Sequence, residues 1–385
     1  VTLARIGDPR SAAARLGRTL PMDREELVEH VRSRVEALLS QLPPGQEDRV
    51  ADQRWYWAAP FLLDRAEGGW GPIGLRFGAD TDDDTAAGFR HHVAEANNVV
   101  TADLGPRPDD LADVLTQLAI AGPGVCALRT LAGTAAHDLD HSDDLGHSDE
   151  LGAKDLRDTA SSWAWSLRAL FNGAEIMAVL EVEGQAYWRE VLRHTMDGNL
   201  QSVLDEYAHV LVAAHSLGNE PRDRQLERLA VAFEQGSGLQ ASTQAMDFFG
   251  ADGESVERKR IRTHFAVRYG RSTTVDEQTE HRETQVREAF NSPFWPFVLA
   301  STSVGQEGLD FHHYSHAVVH WNLPSNPVDL EQREGRVHRY RGHAVRKNIA
   351  RVHRADPRVA AEPDPWVVLF ELAAAERGKR PEIFP

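Results

Sequence analysis

Gln332, Gly335, Arg336 and Arg339 stand close together in the chain, and three of the four carry side chains suited to one task. Two guanidinium forks neutralise charge spread over the equatorial oxygens of a phosphoryl group in transfer, and a carboxamide orients an attacking water. Spacings of three and four residues put Gln332, Arg336 and Arg339 on one face if the segment is helical. Gly335 costs such a helix about 1 kcal/mol, which is expected where something approaches its backbone closely. Taken alone, the pattern also describes a solvated basic helix face.

A second set lies upstream. Ser301, Thr302, Ser303, Gly305 and Gly308 directly follow an apolar run. Small residues there let backbone N–H groups approach an anion, and hydroxyls add donors. Asp310, at the end of the loop, is placed to accept from a ribose hydroxyl. A plain turn has the same composition.

In this order, the two sets resemble the fifth and sixth sequence motifs of superfamily-two helicases. The form is most similar to the chromatin-remodelling and bacterial translocase branch, where a GEGLN-like loop is followed by asparagine-proline and then LEQRxGRxHR. This chain reads GQEGLD and then NLPSNPVDLEQREGRVHR, and Arg282 with Ala289 to Asn291 match the helix before the fifth motif. The resemblance runs from Arg262 to Arg346 and does not extend to the first part of the chain. It implies a RecA-like lobe in which Arg336 and Arg339 are arginine fingers and Gln332 is a partner of the nucleotide or of the attacking water. Gly308, Asp310 and Gly335 would line the nucleotide, and Thr302 and Ser303 would meet nucleic-acid phosphates. The branch often has Asn where this chain has Asp310. The implied cofactor is ATP, with magnesium supplied mainly by a second lobe. The implied partners are an N-terminal helicase lobe and DNA or RNA, DNA being favoured, with no membrane.

That second lobe has no counterpart in the sequence. No GxxxxGK[ST] occurs: the lysines are Lys154, Lys259, Lys347 and Lys379, and Gly378-Lys379 is followed by Arg380. DEYAH, Asp205 to His209, falls inside a helical pattern rather than at a strand end and reads as surface carboxylates. A lobe that gives fingers without a phosphate loop cannot hydrolyse ATP alone, so its partner would lie upstream in a longer parent or on a separate polypeptide. A non-catalytic nucleic-acid-binding or scaffolding module is the alternative. A metal-dependent hydrolase built on His137, His141 and His147 among neighbouring aspartates is a third reading, although so hydrophilic a stretch is expected to be a solvated linker.

The elements that must hold these residues change character along the chain. Over residues 1–236 the texture is helical, the setting of an accessory or insertion region. Leu27, Val31, Val35 and Leu38 recur at helical spacing behind a capping Asp23, and Leu111, Val114, Leu115 and Leu118 repeat the pattern. Residues 237–385 alternate strand and helix. Ile261, Thr263, Phe265, Val267 and Tyr269 mark one face of a strand, FVLAST (297–302) and HAVVHW (316–321) read as buried strands, and a helix through Arg282 to Phe290 lies between. Asn326 and Pro327 start another helix. This alternation predicts an α/β fold, a parallel-sheet lobe preceded by a mainly α-helical domain. Phe294, Trp295 and Phe297, like Trp55, Tyr56 and Trp57, are expected to be core.

The chain has 385 residues, 41% of them hydrophobic, and no run is read as a membrane span. Cys126 is the sole cysteine, which excludes a disulfide framework and a cysteine-based zinc site. With no signal-like N-terminus, a cytoplasmic setting is expected. The chain opens on Val1 rather than Met, which fits a fragment or an alternative start codon. Net charge is −17, yet Val256 to Arg354 holds 16 Lys and Arg against 11 Asp and Glu, and half of the 18 histidines. A local excess of positive charge permits a phosphate ligand without requiring one.

Overall fold

In a computed structural model the structure describes residues 1–46, 50–67, 91–92, 94–135, 147–180, 184–237, 242–249, 256–263, 286–294, 296–300 and 311–377. They fall into two units, one of Val1–Val231 with Ile349–Lys379 and one of Ala232–Asn348 with Arg380–Pro385.

The first unit is built of helices: α1 (Thr2–Ile6), α2 (Pro9–Leu16), α3 (Arg24–Gln41), α4 (Trp55–Ala66), α5 (Leu111–Ala121), α6 (Pro123–Thr134), α7 (His147–Phe171), α8 (Ala174–Leu180), α9 (Tyr187–Asp197) and α10 (Leu200–Ala214). After α11 (Arg222–Ser237), which runs into the second unit, the chain returns as α14 (Pro357–Ala361) and α15 (Pro365–Arg377). Helix α3 shows why the sequence folds this way. Asp23 Oδ1 accepts from the backbone N–H groups of Glu25 and Glu26 at 2.8 and 3.3 Å, satisfying donors that the first turn leaves open. Leu27, Val31, Val35, Leu38 and Leu39 form its buried stripe. They join Leu3, Ile6, Trp55, Leu62, Leu63, Leu111 and Leu115 in one core, where each fully buried aliphatic side chain contributes about 1.5–3 kcal/mol. Trp55 is fully buried, and its indole N–H donates to the Gly105 carbonyl at 2.8 Å.

Helices α5 and α6 together, Leu111–Thr134, are long and apolar enough to cross a membrane by length and composition alone, contrary to the sequence reading. More than half of that stretch is buried inside the protein. Gly122 and Pro123 break it in two, because proline fits the first turn of a new helix but not a helix interior. Cys126, Leu128 and Leu131 then enter the core.

The second unit overturns the expected parallel α/β lobe. Among the described residues the only strands are β1 (Ser242–Phe249) and β2 (Val256–Thr263), which pair antiparallel with Ser242 opposite Thr263 and Phe249 opposite Val256. Ile261 and Thr263 do lie in a strand; Phe265, Val267 and Tyr269 lie outside the described residues. Residues 296–300 and 315–320 form neither strand nor helix. Phe297, Val298, Val319 and Trp321 are 77%, 80%, 91% and 99% exposed, where buried strands were expected. The physical reason is that a parallel strand is satisfied only when neighbours pair with it and helices cover both its faces. Neither apolar run has a partner strand among the described residues. Among the described residues, helices α12 (Pro327–Glu334) and α13 (His343–His353) and the helical residues 286–290 make up the rest of this unit's regular structure, α13 continuing into the first unit.

Candidate functional site

Helix α12 begins where the sequence says it should. Asn326 Oδ1 accepts from the Val328 N–H at 3.1 Å, Pro327 occupies the first turn, and Asp329 adds negative charge at the positive end of the helix dipole. Its far end is earlier than expected. The helix stops at Glu334, Gly335 is its C-cap, and the next backbone bonds are tight: Val337 N–H and His338 N–H both reach the Glu334 carbonyl, at 3.0 and 3.2 Å. Gln332 is therefore on the helix while Arg336 and Arg339 follow it in turn and coil, so the three do not share one helix face. Gly335 has a negative φ, and an added Cβ would stand 3.0 Å from the Glu331 carbonyl oxygen.

Gln332 and Arg339 are exposed and Arg336 is half-buried, so a ligand or partner can reach them. Val337 between them is 5% exposed and anchors the turn. The Arg336 carbonyl accepts from Phe311 N–H at 3.4 Å, and the Arg339 carbonyl accepts from Gly342 N–H at 2.9 Å. His320 Nε2 lies 3.4 Å from Glu334 Oε1 beside the same helix end. Thr302, Ser303, Gly308 and Asp310 lie outside the described residues, as do Arg282, Trp295, His137 and His141. Among the described residues no group of three or more His, Cys, Asp or Glu side chains is arranged to hold a metal ion.

Sequence reasoning missed the residue that organises this region. Arg346 is 1% exposed, and its guanidinium donates to the carbonyls of Arg341, at 2.9 Å, and of His313, while lying 5.1 Å from the Tyr314 ring centroid. Arg341, whose carbonyl it holds, has a left-handed backbone with φ of 58°. The His343 N–H donates to the His312 carbonyl at 2.8 Å, which ties α13 to the segment ahead of α12. Ala289 and Asn291 are buried, and Asn291 Oδ1 accepts from His313 N–H at 3.4 Å. The AFN triplet thus contacts residues 311–313, and Phe311 in turn bonds the Arg336 carbonyl. Nothing local in the sequence marks Arg346 for burial, because the residues that receive it, His313 and Tyr314, lie far upstream in the chain.

Comparison with known proteins gives one positive result. No curated protein matches the chain, and no solved structure does. Residues 251–341, which include Gln332, Gly335, Arg336 and Arg339, match the family described as helicase conserved C-terminal domain, so this stretch is a helicase-family C-terminal module.

Proposed function

We propose that the chain serves as the C-terminal lobe of an ATP-dependent nucleic-acid helicase or translocase, in a cytoplasmic setting. In this reading Arg336 and Arg339 complete a nucleotide site whose phosphate loop and magnesium ligands come from a separate N-terminal lobe. The family match over residues 251–341 carries the proposal. The accessibility of Gln332 at the end of α12, and of Arg336 and Arg339 on the turn that follows, braced by Val337 and Arg346, is consistent with it. An arginine that meets a phosphoryl group across an interface must be reachable yet aimed, and a buried neighbour that fixes the backbone provides the aim.

The test uses the chain combined with its N-terminal lobe. Arg336→Ala or Arg339→Ala is expected to cut ATP turnover by about 10³–10⁵, the range typical of arginine fingers, with nucleic-acid binding far less affected. Lysine should restore little, since a point charge lacks the planar fork. Lys347→Ala is the control, because Lys347 is exposed and lies past the turn. Arg346 is unsuitable as a control: truncating a buried guanidinium removes backbone bonds and would be read wrongly as lost chemistry. The chain alone should show no turnover. Equal, mild effects at Arg336, Arg339 and Lys347 would instead support the scaffolding reading.

A further inference from the structure

Among the described residues no large apolar side chain is more exposed than that of Trp321, at 99%. Two residues on, Leu323 is 76% exposed, and Val328 in the first turn of α12 is exposed as well. Single apolar residues on a surface are ordinary, but a run of them marks a surface that something covers. The backbone that carries this run is held on both sides of the tryptophan. His320 Nε2 lies 3.4 Å from Glu334 Oε1, and the Asn322 carbonyl accepts from Arg333 Nη1 at 3.1 Å. Glu334 closes α12, and the turn of Arg336 and Arg339 follows it. The apolar run is thus fastened to the helix end from which the two arginines emerge, and two polar contacts hold an indole in water.

The chemistry of the run constrains its occupant. Leu323 and Val328 have neither a π-face for a base nor a charge for a phosphate, so a nucleic-acid strand gains little from them. A second copy docked through the same run would bring two cationic turns together, because Gly335 to Asn348 holds five Lys and Arg and no Asp or Glu. A protein surface that carries its own anion fits both features, with apolar contact at Trp321 and opposite charge at Arg336 and Arg339. We infer that Trp321, with Leu323 and Val328, is the anchor by which the N-terminal lobe docks on this chain, the nucleotide phosphates it holds supplying the anion. This rests on the motor reading above and adds to it a contact that holds the lobes together without touching the reacting atoms. A tryptophan desolvated inside an interface is among the side chains whose truncation weakens binding most.

The test titrates the N-terminal lobe into the full chain with ATP and magnesium present, reading the half-saturating lobe concentration and the maximal turnover, with association followed in parallel by sedimentation. Trp321→Ser should raise the half-saturating concentration by about thirtyfold, and Leu323→Ser by about tenfold. Arg336→Ala should do the reverse, lowering the maximum while leaving the half-saturating concentration nearly as it was. Val179→Ser, at an exposed valine of α8, is the control and should change neither. Trp321 belongs to no core, so the melting of Trp321→Ser alone should match that of the parent. Unchanged half-saturation in Trp321→Ser and Leu323→Ser, with turnover still abolished in Arg336→Ala, overturns the docking inference and leaves the motor reading standing. Association that depends on Trp321 but yields no turnover from the unaltered pair keeps the docking and sinks the motor. If Trp321→Ser instead weakens self-association, or binding of a single-stranded oligodeoxynucleotide, with lobe association unchanged, the occupant is another and the inference fails.

Discussion

Asp205 is a carboxylate among neutral hydrogen-bond donors. Thr130 Oγ1 donates to its Oδ1 at 2.5 Å and Gln201 Nε2 donates to the same oxygen at 2.8 Å. Gln201 Oε1 in turn accepts from Arg129 Nε at 2.8 Å, so Arg129, which with Arg10 is a cation close enough to act on the carboxylate, is a residue removed. Burial outweighs these contacts and pushes the Asp205 carboxyl up to about 6. A carboxyl that is harder to ionise when folded makes the folded state bind more protons than the unfolded one. Its stabilising contribution is therefore full below the ordinary carboxylate range, near pH 4, and is lost as pH rises through about 6. A displacement of this size corresponds to at most about 3 kcal/mol, and residual solvent contact trims it. Asp205→Asn keeps an oxygen for both donors and carries no charge. Thermal melts should show the variant equal to the parent below about pH 4, with its advantage growing as pH rises through 6 and full at about pH 7.5, and a parallel pH profile for the two proteins would contradict this account. The sequence reading of DEYAH as surface carboxylates fails here for an identifiable reason. Asp205 faces α6 and His209 faces the chain returning at Asp364, and both neighbours are distant in sequence.

At the scale of elements, contact between α1 and α5 depends on the absence of a side chain. A Cβ on Gly7 would stand 1.9 Å from the Ala119 carbonyl oxygen, closer than any atom pair allows, and the obstacle is backbone at the end of a core helix. Gly7→Ala should therefore cost about 1–3 kcal/mol by forcing the two helices apart. Gly17 gives the comparison: it caps α2 in the left-handed conformation with open space around it. Gly17→Ala pays only the backbone term, about 1–2 kcal/mol, and should leave exchange protection in α5 intact, whereas Gly7→Ala should lower it. Loss of α5 protection in both variants, or in neither, would refute the close-approach argument. Helices of this unit were legible because two local signals coincide. Asp23 caps α3, and Leu27, Val31, Val35 and Leu38 repeat with its turn, and both act within the helix itself. The expected sheet was not legible in the same way. FVLAST and HAVVHW state that these residues favour a buried strand, but pairing is a property of neighbours, and a local pattern cannot supply them. The candidate site stands between these cases. The Asn326 cap and the order of Gln332, Gly335, Arg336 and Arg339 could be read directly, while the early end of α12 and the buried Arg346 depend on contacts with residues 311–314.

At the scale of the whole chain, the helical unit is discontinuous: it is assembled from residues on both sides of the helicase-like segment. Its C-terminal part is held by specific contacts rather than by proximity. His209 Nδ1 and Asp364 Oδ2 are 2.9 Å apart, and the other oxygen of Asp364 accepts from Trp366 N–H at 3.0 Å, so one carboxylate both meets α10 and orders the start of α15. The His209 ring stacks on Phe370 with centroids 5.8 Å apart. Gly133 of α6 lets the Pro363 carbonyl come so near that an added Cβ would be 2.8 Å from it. Val359, Trp366, Val368 and Leu369 are buried together behind these contacts. A chain ending after Arg354 loses all of this while keeping residues 251–341 whole. Exposing the surfaces that Trp366, Val368 and Leu369 cover, at about 1.5–3 kcal/mol for each large side chain, should lower the melting temperature of the helical unit and its exchange protection in α6 and α10. Asp364→Asn should give a smaller loss of the same kind, because the amide oxygen still accepts from Trp366 while the interaction with His209 weakens. If residues 355–377 were only a tail, truncation would leave α6 and α10 protected as in the full chain. That result would separate the two parts of the helical unit and show that residues 1–231 are self-sufficient.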